Sequence, residues 1–247
     1  MPGVRSAGVW EPLETRVVQA LLPQGGVFLD IGAHFGYYTL LAAHSNPSPA
    51  VIVAVEPNNY NYALLQRNVH INSLSNVHVF NVALGDKTGE VTLFCADSNL
   101  GDHRVWSEGA TIARPIQKVS MIAGDELLDS LGIREVHLIK LDVQGFEAHV
   151  ISGLKRTFDR SPRCCIVMEF WPFGIARAGG CPRTLFEYLN QLGRRVFVIG
   201  DGVLHQVGRL DDILAHIRRR CENAESDGAY VDLVVGPEDV IRHAVCV

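Results

Sequence analysis

Several absences bound this chain before any motif is read. Its 247 residues contain no apolar run near the roughly twenty that a membrane-spanning helix needs. The opening Met1-Pro2-Gly3-Val4-Arg5 is not an apolar leader, so a soluble, cytoplasmic protein is expected. A basic excess is also missing. The 22 Lys and Arg stand against 27 Asp and Glu, a formal charge of −5, which leaves no electrostatic footprint for nucleic acid. The single basic cluster, Arg218-Arg219-Arg220, closes a helix-like stretch that opens at Asp211, an order that complements the helix dipole. No two of the 6 cysteines share Cys-x-x-Cys spacing. Cys164 and Cys165, adjacent in an apolar run, read as small core residues of a reducing compartment, not as a disulfide or metal framework. No internal repeat or low-complexity tract is present. No His, Asp or Glu set has convincing metal-ligand spacing, although Asp142 and Glu169 could meet at adjacent strand ends.

What is present is an alternation of apolar runs and helical periods. Glu11 to Leu22, with Pro12 in its first turn, reads as a helix. A strand from Val27, a helix from Gly36 through Ala43, a strand over Val51 to Val55 and a strand over Val77 to Val82 follow. Between the last two, Tyr60, Ala63, Leu64 and Ile71 are expected to mark one face of a helix. From Glu90 to about Ser120 the alternation gives way to a polar, irregular insertion with one strand-like piece, Val91 to Phe94; residues 97–118 are expected to serve as a lid or binding loop. Regularity resumes with a helix over Gly124 to Leu131, a strand over Val136 to Leu141, and a helix whose buried stripe is Val150, Ile151, Leu154 and Phe158. A strand over Cys164 to Met168 and a helix carrying Leu185, Phe186, Leu189 and Leu192 come next. Val196 to Ile199 and Tyr230 to Val235 are expected as an antiparallel pair at the sheet edge. This order predicts an α/β fold, a parallel sheet with helices on both faces, in one domain spanning residues 1–247, with residues 1–26 as an N-terminal helical segment.

The chemistry concentrates where the first strand ends. Val27-Phe28-Leu29-Asp30-Ile31-Gly32-Ala33-His34-Phe35-Gly36 is an apolar strand that stops at an acid and turns through two glycines, and the second strand ends in Glu56-Pro57. Two strands that each deliver a carboxylate, with a helix between them, build a nucleotide crevice at a topological switch point. A dinucleotide would require Gly-x-Gly-x-x-Gly for close approach of its pyrophosphate. Here the pattern is Asp-x-Gly-x-x-x-Gly, and an acid at its start repels phosphate while attracting an ammonium. S-adenosylmethionine suits such a loop: it has a zwitterionic amino acid end, two free ribose hydroxyls for Glu56, and no phosphate. A nicotinamide oxidoreductase would need the third glycine and a hydride-transfer dyad, neither of which is present.

Four segments in register, Asp30-Ile-Gly-Ala-His-Phe-Gly-Tyr-Tyr-Thr39, Glu56-Pro57-Asn58, Asn81-Val-Ala-Leu-Gly-Asp86 and Ile139-Lys-Leu-Asp-Val-Gln-Gly-Phe-Glu147, resemble the FkbM family of S-adenosylmethionine-dependent methyltransferases. The likeness covers roughly residues 10 to 170. It implies a class I methyltransferase fold, a Rossmann-like three-layer sandwich with a mostly parallel seven-stranded sheet whose last strand is antiparallel. It also implies methyl transfer, usually to a hydroxyl on a sugar, polyketide or other natural product. N-methylation of a small molecule or peptide, or a degenerate member that only binds partners, are the alternatives. Gln144 departs from the family, which more often has an acid there.

On this resemblance Asp30 holds the ammonium of S-adenosylmethionine, Gly32 and Gly36 allow the tight turn, and Ala33, His34 and Phe35 border the methionine moiety. Glu56, fixed by Pro57, accepts from both ribose hydroxyls. Ala83 and Leu84 line the adenine pocket and Asp86 reaches the adenine amino group. Asp142 sits beside the sulfonium and orients the acceptor or takes its proton. Glu147 and Glu169 are candidate acceptor contacts. The insertion offers Gly101-Asp102-His103-Arg104, in which His103 is suited by its unperturbed pKa to act as general base, with Arg104 beside it. Trp10 and Glu11 are placed to fold over the donor from the N-terminal side. The partner is a small-molecule acceptor, with no nucleic acid and no membrane expected.

Overall fold

A computed structural model describes residues 8–22, 25–45, 51–95, 103–105, 116–191, 193–200, 203–220 and 229–245. The core strands form where apolar residues run without interruption. Val27–Ile31 (β1), Val51–Val55 (β2), Leu138–Leu141 (β7) and Cys165–Phe170 (β8) are buried along nearly their whole length, the pattern of parallel strands covered on both faces. Val77–Phe80 (β3), Arg195–Gly200 (β9), Val203–Val207 (β10) and Val231–Gly236 (β11) complete an eight-stranded sheet in the order β10-β9-β11-β8-β7-β1-β2-β3. β3, β2, β1, β7 and β8 pair in parallel. β11 runs antiparallel to both its neighbours, β8 and β9.

Helices cover both faces. On one, Pro12–Leu21 (α1), Tyr37–Ser45 (α2) and Glu238–Val245 (α10) pack Val17, Val18, Ala42 and Ile241 against Phe28, Ile52, Leu138 and Val167. On the same side Asn59–Ile71 (α3) sets Leu65 and Val69 against Ala33 and Ala54. The other face is closed by Gly124–Ser130 (α4), Glu147–Ser152 (α5), Lys155–Arg160 (α6), Pro182–Gln191 (α8) and Leu210–Arg220 (α9), whose Leu128, Val150, Phe158, Leu189 and Ile213 meet Leu29, Val53, Ile139 and Ile166. Pro172–Arg177 (α7) follows β8 directly. Among the described residues no helix is long and apolar enough to cross a membrane.

Five expectations are corrected. The stripe of α3 is Asn61, Leu65 and Val69, whereas Tyr60 and Ile71 are 59% and 63% exposed; the Asn58 side chain caps the helix by accepting from the amides of Tyr60 and Asn61 and so sets its rotation. The strand over Val77 to Val82 breaks at Asn81, whose side-chain amide donates to the carbonyls of Glu56 and Pro57 at 3.0 Å each. The chain then enters a second, three-stranded sheet of Ala83–Gly85 (β4), Gly89–Phe94 (β5) and Ile116–Ala123 (β6). The insertion is therefore not irregular throughout, since β5 and β6 pair antiparallel across six residues. The single helix expected after β7 is two, divided at Gly153 and Leu154, where a Cβ on Gly153 would lie 1.9 Å from the Gly85 carbonyl oxygen. The last pair is not at the edge: β10 adds an eighth strand outside β9, and β11 inserts between β8 and β9. Leu192 and most of the expected lid at 97–118 lie outside the described residues.

Candidate active site

β1 is flanked by β2 on one side and β7 on the other, with the chain leaving in opposite directions, which opens a crevice at the carboxyl ends of these strands. A cavity of about 340 Å3 fills it. Its floor is stitched by backbone bonds between strand ends: the amides of Gly32 and Ala33 donate to the Val55 carbonyl, the Glu56 amide to Phe80, and the Asp142 amide to Ile31. Gly32 has φ +80°, and a Cβ there would come within 1.8 Å of the Asp142 carbonyl oxygen, so only glycine lets the first turn cross β7 this closely.

The two carboxylates expected to grip a nucleoside both face the cavity. Asp30 is 1% exposed and accepts from the Thr39 hydroxyl at 2.5 Å. Burial pushes its carboxyl up to about 6, against the pull of Thr39 and Lys140. Glu56 is 5% exposed. One of its oxygens accepts from the His34 amide at 2.9 Å, the other from the Asn58 amide at 2.8 Å. Burial again dominates and raises Glu56 to about 7, while those amides oppose the rise. Glu56 thus ties the end of β2 to the turn after β1, and each oxygen keeps acceptor capacity toward the cavity.

Ala33, His34, Phe35 and Pro57 line the same end of the cavity, and Ala83 and Leu84 form an apolar wall with Val82, Leu93 and Phe146. Gly36 does not line it; it closes the turn behind, against Leu65. Asp86 is also absent from the lining. It faces His149 at 3.6 Å, and His149, which does not line the cavity either, stacks on Phe146 with ring centroids 4.3 Å apart.

Asp142, His103 and Glu169 also line the cavity, together with Trp10, Glu11 and Tyr230. His103 is carried there by the flanking Arg104, whose amide and carbonyl bridge to Phe94 and whose guanidinium lies over the Trp171 ring at 4.7 Å. Arg104 positions His103 and does not itself line the cavity. Glu147 is likewise behind the site. Fully buried, it accepts from the amides of Val143 at 3.3 Å and Gly145 at 3.1 Å, and so holds the loop after β7.

Lys140 is the residue that sequence reasoning passed over. It points from the middle of β7 into the cavity, 2% exposed, with its ammonium 3.6 Å from Asp142 and 5.1 Å from the Tyr38 ring centroid. Burial alone would depress its pKa, but Asp142, Glu11, Asp232 and Glu169 surround it and the net shift is upward. A lysine inside the four-residue apolar strand Leu138-Ile139-Lys140-Leu141 was the available signal, since an unpaired ammonium there would be too costly to keep. Gln144, at φ +52°, spans the neighbouring strand ends: its amide nitrogen is 3.0 Å from Asp142 and 3.4 Å from Glu169. Asp142 and Glu169 do meet, as their strand positions suggested, with that amide between them. Glu11, with its backbone at φ 43°, receives the Tyr38 hydroxyl at 2.8 Å, and burial raises its carboxyl.

The chemistry of this lining selects among ligands. Among the described residues it holds five carboxylates, one lysine and no arginine, so a pyrophosphate would meet charge of its own sign. A ligand with an ammonium, ribose hydroxyls and an adenine fits the buried acids and the apolar wall.

Comparison with known proteins agrees with this geometry. The Methyltransferase FkbM domain matches residues 30–220. A relative called Methyltransferase 1, from Beauveria bassiana, is 27% identical over 55% of this chain and 61% of its own length. A second, the 2-O-methyltransferase NoeI of Sinorhizobium fredii, is 24% identical over 64% of this chain and 70% of its own. The chain therefore spans less than two thirds of the first relative. Among solved structures, a methyltransferase FkbM from Methylobacillus flagellatus superposes with a TM-score of 0.52 at 12% identity, covering 86% of this chain and 44% of that one. The O-methyltransferase TomG of Streptomyces achromogenes, solved with S-adenosylmethionine, gives 0.52 at 12% identity, with coverage of 92% and 79%. At these identities the structural likeness is one of fold, the class I methyltransferase sandwich. With the domain match extending over residues 30–220, this chain belongs to the FkbM methyltransferase family.

Proposed function

We propose that this chain is an S-adenosylmethionine-dependent methyltransferase that acts on a hydroxyl of a small molecule. The observation that carries the reading is the pair of buried carboxylates, Asp30 and Glu56, at the ends of adjacent parallel strands and facing one arginine-free cavity. Asp30 takes the ammonium, Glu56 the ribose hydroxyls, and the wall of Ala83, Leu84 and Phe146 the adenine. When bound, S-adenosylmethionine supplies an electrophilic methyl group on a positively charged sulfur.

The acceptor enters the end lined by Trp10, Tyr230, Asp142 and His103. Because the sulfonium provides the driving force, most of what the protein contributes is alignment of the acceptor oxygen with the methyl carbon. Asp142, held between the Lys140 ammonium and the Gln144 amide, has a fixed orientation toward the acceptor. The proton of the acceptor hydroxyl must pass to one of the bases at this end, Asp142, His103 or Glu169. A 2-O-methyltransferase among the relatives supports oxygen as the acceptor atom. The protein works in the cytoplasm, as a single domain.

A thermal-shift assay tests the reading. S-adenosylhomocysteine raises the melting temperature and NAD does not, and Asp30→Ala removes the rise while the variant remains folded. Stabilisation by NAD alone overturns the assignment. Methyl transfer from labelled donor to a hydroxyl-bearing member of a panel of glycans, polyketides and lipids tests the oxygen acceptor; label appearing only on amines refutes it.

A further inference from the structure

We propose that Glu169 is the general base of the reaction, a carboxyl that gives up its proton when a sulfonium enters the cavity and takes the proton of the acceptor hydroxyl as the methyl leaves. This rests on the methyltransferase reading above and names a proton acceptor within it.

The geometry separates the three candidates. Asp142 is committed, since it faces the Lys140 ammonium at 3.6 Å and the Gln144 amide at 3.0 Å. With a donor on each of its oxygens, Asp142 is occupied in holding the Lys140 ammonium and the Gln144 amide in place. His103 stands on a short stretch fixed to β5 through its neighbour Arg104. Glu169 sits inside β8, hydrogen-bonded into the sheet between β7 and β11, one position beyond the Leu141–Met168 pair and directly across from Asp232. A group on a strand is placed more accurately than one on a loop. Glu169 is 8% exposed yet lines the cavity, and the Gln144 amide that it meets at 3.4 Å is neutral.

The charges around Glu169 explain why it would respond to the donor. Asp142 just after β7, Glu147 from α5 and Asp232 from β11 are near enough to act on it electrostatically, and Lys140 opposes them. Burial and those acids raise its carboxyl well above the ordinary range, and Asp232 is raised with it. A positive sulfur beside this group adds the favourable charge it lacks, which releases its proton and leaves a base ready for the acceptor. In the transfer the hydroxyl O–H breaks with its proton going to the Glu169 carboxylate. The oxygen–methyl bond forms, the sulfur–methyl bond breaks, and its electron pair stays on sulfur. The positive charge and the free carboxylate disappear together, so the cluster ends in the protonation state it had before the donor arrived.

The test uses the intact protein and needs no acceptor. S-adenosylmethionine and S-adenosylhomocysteine differ at this site by the sulfonium charge. Their binding is followed by calorimetry in buffers of different protonation enthalpy, between about pH 6 and 7, where an α-amino group of pKa near 7.7–8.0 stays charged. Protons displaced from Asp30 and Glu56 are common to both ligands and cancel in the difference. We expect S-adenosylmethionine to release up to about one proton more. The ratio of the two affinities then rises with pH, by up to about tenfold per unit. Glu169→Gln abolishes the excess release while S-adenosylhomocysteine still binds, and His103→Ala keeps it. If Glu169→Gln no longer binds S-adenosylhomocysteine, Glu169→Asp is used instead, and the pH midpoint of the excess must move. Equal proton counts for the two ligands, survival of the excess in Glu169→Gln, its loss in His103→Ala, or an unmoved midpoint in Glu169→Asp each overturns the proposal. Absence of binding by either ligand to the wild-type protein refutes the methyltransferase reading itself.

Discussion

Glu147 provides the sharpest test of how burial, and not contact with a ligand, sets the behaviour of an acid in this fold. Its side chain is fully buried, and one oxygen is held by the amides of Val143 and Gly145. The other oxygen has no hydrogen-bond partner among the described residues. Burial, opposed by those amides and reinforced by Asp142, raises its carboxyl from 4.5 to about 7. The sign follows from where the proton sits. Between about pH 4.5 and 7 the unfolded chain has lost the proton while the native state still holds it, so stability falls as pH rises. Below that window Glu147 costs nothing. Above it the full difference, on the order of 3 kcal/mol at 1.36 kcal/mol per pH unit, is subtracted from stability. Glu147→Gln keeps an oxygen for the two amides and removes the charge. Urea denaturation of wild type and variant, at intervals from about pH 5 to 8, should show the variant gaining on the wild type by about 1.4 kcal/mol per pH unit within the window and levelling off above it. Parallel stability–pH curves would refute the reasoning, because Glu147 would then have to be ionised, and solvated, in the native protein.

Three further outcomes are expected. Gly32→Ala forces a Cβ into the Asp142 carbonyl at 1.8 Å in a left-handed conformation, and should cost roughly 4 kcal/mol or more; a wild-type denaturation midpoint would show that the strand ends are not packed this closely. Lys140→Met leaves Asp142, Glu11 and Asp232 without their buried cation, and should lose about 3–5 kcal/mol at pH 8 but less at pH 5, where the raised carboxyls of Glu11 and Asp232 take up protons more readily. An equal loss at both values would count against the charge cluster. Asp86→Ala should leave S-adenosylhomocysteine affinity within roughly twofold by calorimetry, as expected of a surface substitution away from the ligand, because Asp86 lies behind Phe146 and His149. A tenfold loss would restore it to the adenine pocket.

The chain's local patterns settled a good part of the architecture. Uninterrupted apolar runs located β1, β2, β7 and β8, since a parallel strand buried on both faces admits little else. The acids after two of those runs, with the glycine turn between, located Asp30 and Glu56, because neighbours in sequence across one β–α–β unit remain neighbours in space. Patterns failed where helical rotation or pairing was decided by distant residues. The buried face of α3 follows from its Asn58 cap and its seat on Ala33 and Ala54. The polar strand β6 exists because β5 lies beside it.

Asp142, Glu169 and Glu11 were legible one by one in the sequence, and only tertiary structure joined them to Lys140 and Asp232. Lys140, Asp142, Glu169, Asp232 and Glu11 come from four separated stretches of the chain. Nothing in any one stretch states that their charges gather around Lys140. Only the insertion of β11 beside β8, and of β7 between β8 and β1, brings them within reach of each other. The chain itself determined a sandwich with a nucleoside crevice at the ends of β1 and β2, because burial periodicity and turn chemistry are local properties. Which acids keep a proton and which lysine holds them together depends on strand order and depth of burial, and those exist only once the sheet has formed.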